Sequence, residues 1–167
     1  MEAVTYYDHS FNLNEWFVII STVGLSIIVW KLPKIFSRLE SIAYYLYGVF
    51  TGMFFDHTIS VAPLDYYDVN DNSSYEFIDF ISYIMYGPFS YIFIYFYVKF
   101  NINGYKHIVY IVIWTAISIL VEWISVKVGL FHYKQGYTLF YSIPIYLFVQ
   151  TLQVVIYNVI QHKSRRG

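Results

Sequence analysis

No cysteine occurs among the 167 residues. That absence excludes disulfide frameworks, thiolate metal sites and cysteine nucleophiles together. Charge is also scarce: 13% of residues are charged and 58% hydrophobic, against a charged share of about 25% in ordinary soluble domains. A water-soluble fold built from this composition would lack polar surface. The net charge of −1 speaks against a nucleic-acid partner and against a polybasic lipid-binding patch. Residues 1–15 hold Glu2, Asp8 and Glu15 but no lysine or arginine, the reverse of a signal peptide's basic start, so the first apolar segment is expected to be retained. HExxH, GxSxG and glycine-rich phosphate loops are missing, and His9, His57, His107, His132 and His162 are scattered. Hydrolase and metalloenzyme chemistry therefore have no motif behind them, and no cofactor is expected.

Aromatic residues, in contrast, reach 23%, with 20 tyrosines and 15 phenylalanines. Such amphipathic rings suit the headgroup level of a bilayer and the walls between packed helices. A helix rising about 1.5 Å per residue needs about 20 apolar residues to cross a hydrocarbon core of roughly 30 Å. Five stretches meet or approach that length, at 16–32, 41–62, 77–98, 107–126 and 137–160. The first is short and ends at Lys31, whose ammonium can reach water along its own stem, with Pro33 behind it. Lys31, Lys34, Arg38, Lys99, Lys106, Lys163, Arg165 and Arg166 fall on one side, and only Lys127 and Lys134 on the other. The expected fold is therefore an all-α integral membrane bundle, one domain over 1–167, with five transmembrane helices, its N-terminus outside and its C-terminus inside. The partner this implies is the lipid bilayer, and the location a cell membrane, in all expectation the bacterial cytoplasmic one.

Gly48, Gly52, Asp56 and Ser60 follow one another at steps of four and project from one helix face. Small residues at that spacing admit a close helix neighbour, either internal or from a membrane-protein partner or second copy. Asp56 is then either a satisfied member of a packing seam or an acid aimed into the bundle, since ionisable residues in spans are costly and mark sites. Glu122 lies about one turn from the outer end of the fourth stretch and requires a partner or water for the same reason. Lys127 is a poor partner within one helix, being about 140° away around it. Both acids fall in the outer half and are expected to face one outward-open pocket. Pro88, after Gly87, and Pro144 each remove a helical donor, from the carbonyls of Ile84 and Phe140, and predict kinks at that depth. The hydroxyls of Tyr83, Tyr141 and Ser142 are expected there too. Ser142, Tyr146, Gln150, Gln153 and Tyr157 form a polar stripe that reads either as interhelical hydrogen bonding or as a polar path leading inward.

In the acidic loop, Asp68, Asn70, Asn72 and Asp79 match the first, third, fifth and twelfth positions of a calcium loop. Ser73 stands where glycine makes the sharp turn, and Asp79 is shorter than the bidentate glutamate such loops use.

The stretch EWISVKVGLFHYKQGYTLFYSIPIY (Glu122–Tyr146) resembles a family of small, uncharacterised multi-pass membrane proteins of endospore-forming Firmicutes, with Glu122-Trp123, Gly129, Tyr133 and Ser142 as its best points. The resemblance implies a five- or six-helix membrane protein and no particular chemistry. The same stretch is distantly similar to membrane carotenoid cyclases and hydratases in its order of acid, glycine, aromatics and proline. Here Ile145 and Tyr146 follow Pro144 where the cyclases carry glutamates. The foremost expectation is a non-enzymatic protein that binds, senses or passes something through a pocket holding Asp56 and Glu122. An intramembrane enzyme acting on a lipid or isoprenoid, and a structural or assembly subunit, are the alternatives.

Overall fold

The structure, a computed structural model, describes residues 5–8, 10–72 and 77–164, the side chains of Lys163 and Ser164 excepted. Ser73 and Glu76 of the acidic loop, and Arg165 and Arg166 of the basic set, lie outside the described residues. Five helices account for nearly all of the regular structure: α1 (Leu13–Lys31), α2 (Arg38–Ile59), α3 (Phe77–Lys99), α4 (Lys106–Lys127) and α5 (Leu139–Ser164). Polar caps set the first two starts. The Asn12 N–H donates to Glu15 Oε2 at 2.7 Å, and the Ser37 N–H donates to Glu40 Oε2 at 2.8 Å, each completing a capping box. The cap at Ser37 starts α2 three residues before the apolar run expected from residue 41.

By length and composition, α1, α3, α4 and residues Leu139–His162 of α5 are apolar enough to cross a membrane. α2 is as long but falls outside that set, because Arg38, Glu40, Asp56, its tyrosines and its glycines dilute the run. The distribution of polarity is inverted relative to a protein in water. Trp30, Leu39 and Phe140 are each 80% exposed, whereas Asn14, Asp56, Asp79, Glu122 and Gln153 are buried.

α3 is the most buried helix, flanked by α1 and α2, and α4 and α5 pair beside this layer. α2 approaches α3 so closely that a Cβ at Gly48 would fall on the Tyr86 carbonyl oxygen, and one at Gly52 on the Tyr86 ring. The small-residue face of α2 is thus occupied by an internal neighbour. α3 and α5 continue as helix through Pro88 and Pro144. The donor missing at Pro88 is replaced: the Tyr45 hydroxyl donates to the Ile84 carbonyl at 3.3 Å.

One feature was not expected from the sequence. Strand β1 (Tyr67–Val69) pairs antiparallel with β2 (Phe131–Tyr133), with Tyr67 opposite Tyr133 and Val69 opposite Phe131. Gly129, at φ +82°, lets the chain leave α4 and enter β2, a conformation L side chains adopt at a cost. The ribbon closes one end of the bundle. The opposite end is closed by an aromatic cluster of Tyr44, Phe93, Tyr97, Tyr110 and Tyr157, within which the Tyr110 hydroxyl donates to the Phe93 carbonyl at 2.5 Å.

Candidate functional site

Between the layer of α1, α2 and α3 and the pair of α4 and α5 lies a cavity of about 190 Å³. Its walls are mostly apolar or aromatic, with Phe89, Trp114 and Phe131 among them, and Tyr67, Tyr86 and Tyr146 adding phenol rings. α2 and α4 both line it while scarcely touching each other. Thr51 and Phe55 on α2, and Ile117 and Val121 on α4, line it from these two helices and keep part of their surface accessible. Among the described residues, no lysine, arginine or histidine lines it, and Glu122 is its one carboxylate.

Glu122 is 6% exposed. Its Oε1 accepts from the Tyr133 hydroxyl at 2.5 Å and from the Ser142 hydroxyl at 2.6 Å. Because the Ser142 proton goes to Glu122, Tyr137, whose hydroxyl lies 2.9 Å from Ser142 Oγ, is the donor in that pair. Two hydroxyls, from β2 and α5, therefore converge on one carboxylate oxygen, and a third, Tyr137 from the turn between them, backs Ser142. Oε2 is buried without a hydrogen bond of ordinary geometry, although the Tyr146 hydroxyl engages the same carboxylate in a looser side-chain hydrogen bond. An unmet acceptor of this kind costs about 1–3 kcal/mol, more if charged, and is kept where something else completes it. Lys127 takes no part: its ammonium lies 6.0 Å from the Trp123 ring centroid.

Burial and the bond to Glu122 both raise the Tyr133 phenol's pKa above its ordinary value, so the hydroxyl is held as a donor. Burial likewise raises Tyr67, with Asp56, Tyr86, Tyr137 and Glu122 adding to the effect.

Asp56 is placed elsewhere. It lines a separate space of about 20 Å³ beside the main cavity, together with Ser82 and Leu130. Its Oδ2 accepts from the Tyr83 hydroxyl and its Oδ1 from Ser60 Oγ at 3.0 Å. Tyr67 and Tyr86 border both spaces and so form a wall that the two share. Of the other hydroxyls expected at that depth, Tyr83 joins Asp56 and Ser142 joins Glu122. Tyr141 is 60% exposed and faces away, one position and about 100° around the helix from Ser142.

The polar stripe of α5 makes interhelical bonds along its length. Gln150 accepts from Thr115 Oγ1 at 3.0 Å and donates to Ser118 Oγ at 3.0 Å. Gln153 donates to the Ser90 carbonyl and hydroxyl, both at 2.8 Å, and so ties α5 to α3. Tyr157 enters the aromatic cluster.

The calcium-loop residues are engaged by protein groups. Asp68 accepts from Lys134 Nζ at 3.0 Å and from the Tyr7 hydroxyl at 2.6 Å, and the Asn70 side chain donates to Asp79. Asn72 bridges to Tyr6 across an isolated strand contact. β1, not a helix, leads into this segment, and among the described residues no three His, Cys, Asp or Glu side chains converge as a metal site.

Sequence reasoning reached Glu122 and Ser142 as site residues but neither Tyr133 nor Tyr137, the other two members of their network. Twenty tyrosines leave no single phenol distinguishable. The turn at Gly129-Leu130, which folds the chain back over Glu122, was the available signal. The chain matches no protein family, no curated protein and no solved structure, so no relative assigns this site a role.

Proposed function

We propose that the chain is a multi-pass integral membrane protein of the bacterial cytoplasmic membrane that binds, senses or passes a small molecule through the cavity at Glu122. All five helices cross the bilayer in this reading, with the N-terminus outside and the C-terminus inside, so the ribbon end is the outer end. The basic residues favour that direction, with Lys31, Lys34, Arg38, Lys99 and Lys106 at the opposite end from Lys127 and Lys134. α2 is included because Leu39, Ile42, Leu46, Phe50 and Phe54 form an exposed apolar stripe at helical spacing, the face a lipid-contacting helix presents. The likeness of Glu122–Tyr146 to small multi-pass proteins of endospore-forming Firmicutes belongs to the same proposal.

The observation that carries the function is the buried Oε2 of Glu122, short of a hydrogen bond of ordinary geometry, at the wall of an otherwise apolar cavity. Binding is favoured over turnover because Asp56, the second acid a two-carboxyl mechanism needs, is bonded to Tyr83 and Ser60 in a separate space.

The absence of native cysteine makes the test direct. Val121→Cys, on the cavity wall, is expected to react with a small neutral thiol reagent in reconstituted vesicles, as is Phe140→Cys on the exposed surface. A Val121→Cys thiol that stays inert while Phe140→Cys reacts fully means that nothing enters the cavity, and the proposed function is then wrong.

A further inference from the structure

We infer that the ligand of this cavity is a protonated amine with a compact hydrophobic body, held by an N–H donated to Oε2 of Glu122. The inference rests on the pocket reading above and adds the ligand's chemistry. Three observations carry it. Oε2 is a buried acceptor that receives no hydrogen bond of ordinary geometry, Tyr146 engaging the carboxylate only loosely, so the missing group is a donor. Among the described residues no cationic side chain lines the cavity, so the charge that complements Glu122 comes from outside the chain. Tyr67, Tyr86, Tyr133 and Tyr146 border the space around the carboxylate, and aromatic walls beside an anion are the setting in which proteins hold ammonium groups.

Size narrows the class. A cavity of roughly 150 Å³ holds benzene, so about 190 Å³ takes one ring or a short branched chain besides the ammonium head. The remaining walls, Phe89, Phe93 and Trp114, offer apolar surface to such a body. A carboxylate-bearing ligand meets only Glu122 and hydroxyls already committed to it. A neutral alcohol can satisfy Oε2 but leaves the charge uncompensated.

The test uses the full chain in nanodiscs of neutral phosphatidylcholine, which avoids adsorption of cations to anionic lipid. Binding of 2-phenylethylamine, 2-phenylethanol and 3-phenylpropionate is measured by equilibrium dialysis against empty nanodiscs. The amine is expected to bind at least about tenfold tighter than the alcohol, the smallest preference expected of one charge-assisted hydrogen bond, and the acid least. Glu122→Gln is expected to remove the preference, its folding checked by a monodisperse peak and a thermal unfolding curve like those of the unsubstituted chain; Glu122→Asp, which keeps the charge, should retain most of it. Equal or tighter binding of the alcohol, or an amine preference that persists in Glu122→Gln, overturns the amine class and leaves the pocket standing. Absence of binding by all three overturns the amine class, and the cavity's accessibility is then judged by the Val121→Cys measurement.

Discussion

Gly48 and the carbonyl oxygen of Tyr86 lie so close that no β-carbon fits between them. The clash would be with backbone, which cannot rotate away. Gly48→Ala is therefore expected to push α2 off α3 and destabilise the fold by about 3 kcal/mol or more. Gly24→Ala is the matched control, since nothing lies within 4 Å of its added carbon in the middle of α1. That change should be neutral or stabilising by up to about 1 kcal/mol. Thermal unfolding of both variants in detergent, followed by loss of the monodisperse peak, checks the contrast.

Ser142 and Tyr133 reach Glu122 from different segments, so each hydroxyl ties a distant stretch to α4. Ser142→Ala and Tyr133→Phe are each expected to cost about 1–2 kcal/mol. Because both donate to the same oxygen, the double variant should deviate from the sum of the two by at least about 0.5 kcal/mol. Strict additivity would show that the hydroxyls do not share an acceptor.

Alkaline pH should loosen the N-terminal segment before the bundle. Burial and the bond to Asp68 push the Tyr7 phenol from 10.0 up to about 12. A group whose folded value is raised contributes stability that is complete below its unfolded value and lost as pH climbs toward the folded one. The attachment is therefore intact below pH 10 and lost between about 10 and 12. Lys134 behaves in the same sense: burial alone would lower it, but its ion pairs with Asp65 at 2.5 Å and Asp68 at 3.0 Å raise it overall. A fluorophore on Ser10→Cys should report release in that window, and Tyr7→Phe should abolish the part of the transition belonging to the phenol.

Single cysteines also decide the topology. Ser10→Cys should react with an impermeant reagent added outside intact cells, whereas Lys34→Cys, Asn103→Cys and Ser164→Cys should react only after permeabilisation. Labelling of Lys34→Cys and Gln135→Cys from the same side would mean that an even number of helices lies between them and that the five-span arrangement is wrong.

The helices were legible because long apolar runs ended by lysine or proline have few other solutions, and four of the five are long and apolar enough to cross a membrane. α2 was legible as a helix but is the least apolar, since the residues that pack it on α3, Gly48, Gly52 and the tyrosines, are those that lower its hydropathy. Its start at Arg38 was readable from Ser37 and Glu40 rather than from the apolar run. The ribbon was not legible: three-residue strands at Tyr67 and Phe131 carry no periodicity of their own and pair only once the helices bring them together. At the site, an acid in an apolar stretch pointed to Glu122 and Asp56 alike. What separates them, two distinct spaces that share the wall of Tyr67 and Tyr86, depends on tertiary packing.

The gap between α2 and α4 changes what concentration means for this protein. Thr51, Phe55, Ile117 and Val121 line the cavity where these two helices scarcely meet, and if that seam parts in a chain embedded in lipid it faces acyl chains. A visitor would dissolve in the membrane first and slip in from the side. Occupancy would then follow the mole fraction of that compound among the lipids, and two compounds with equal contacts inside would rank by how readily each leaves water.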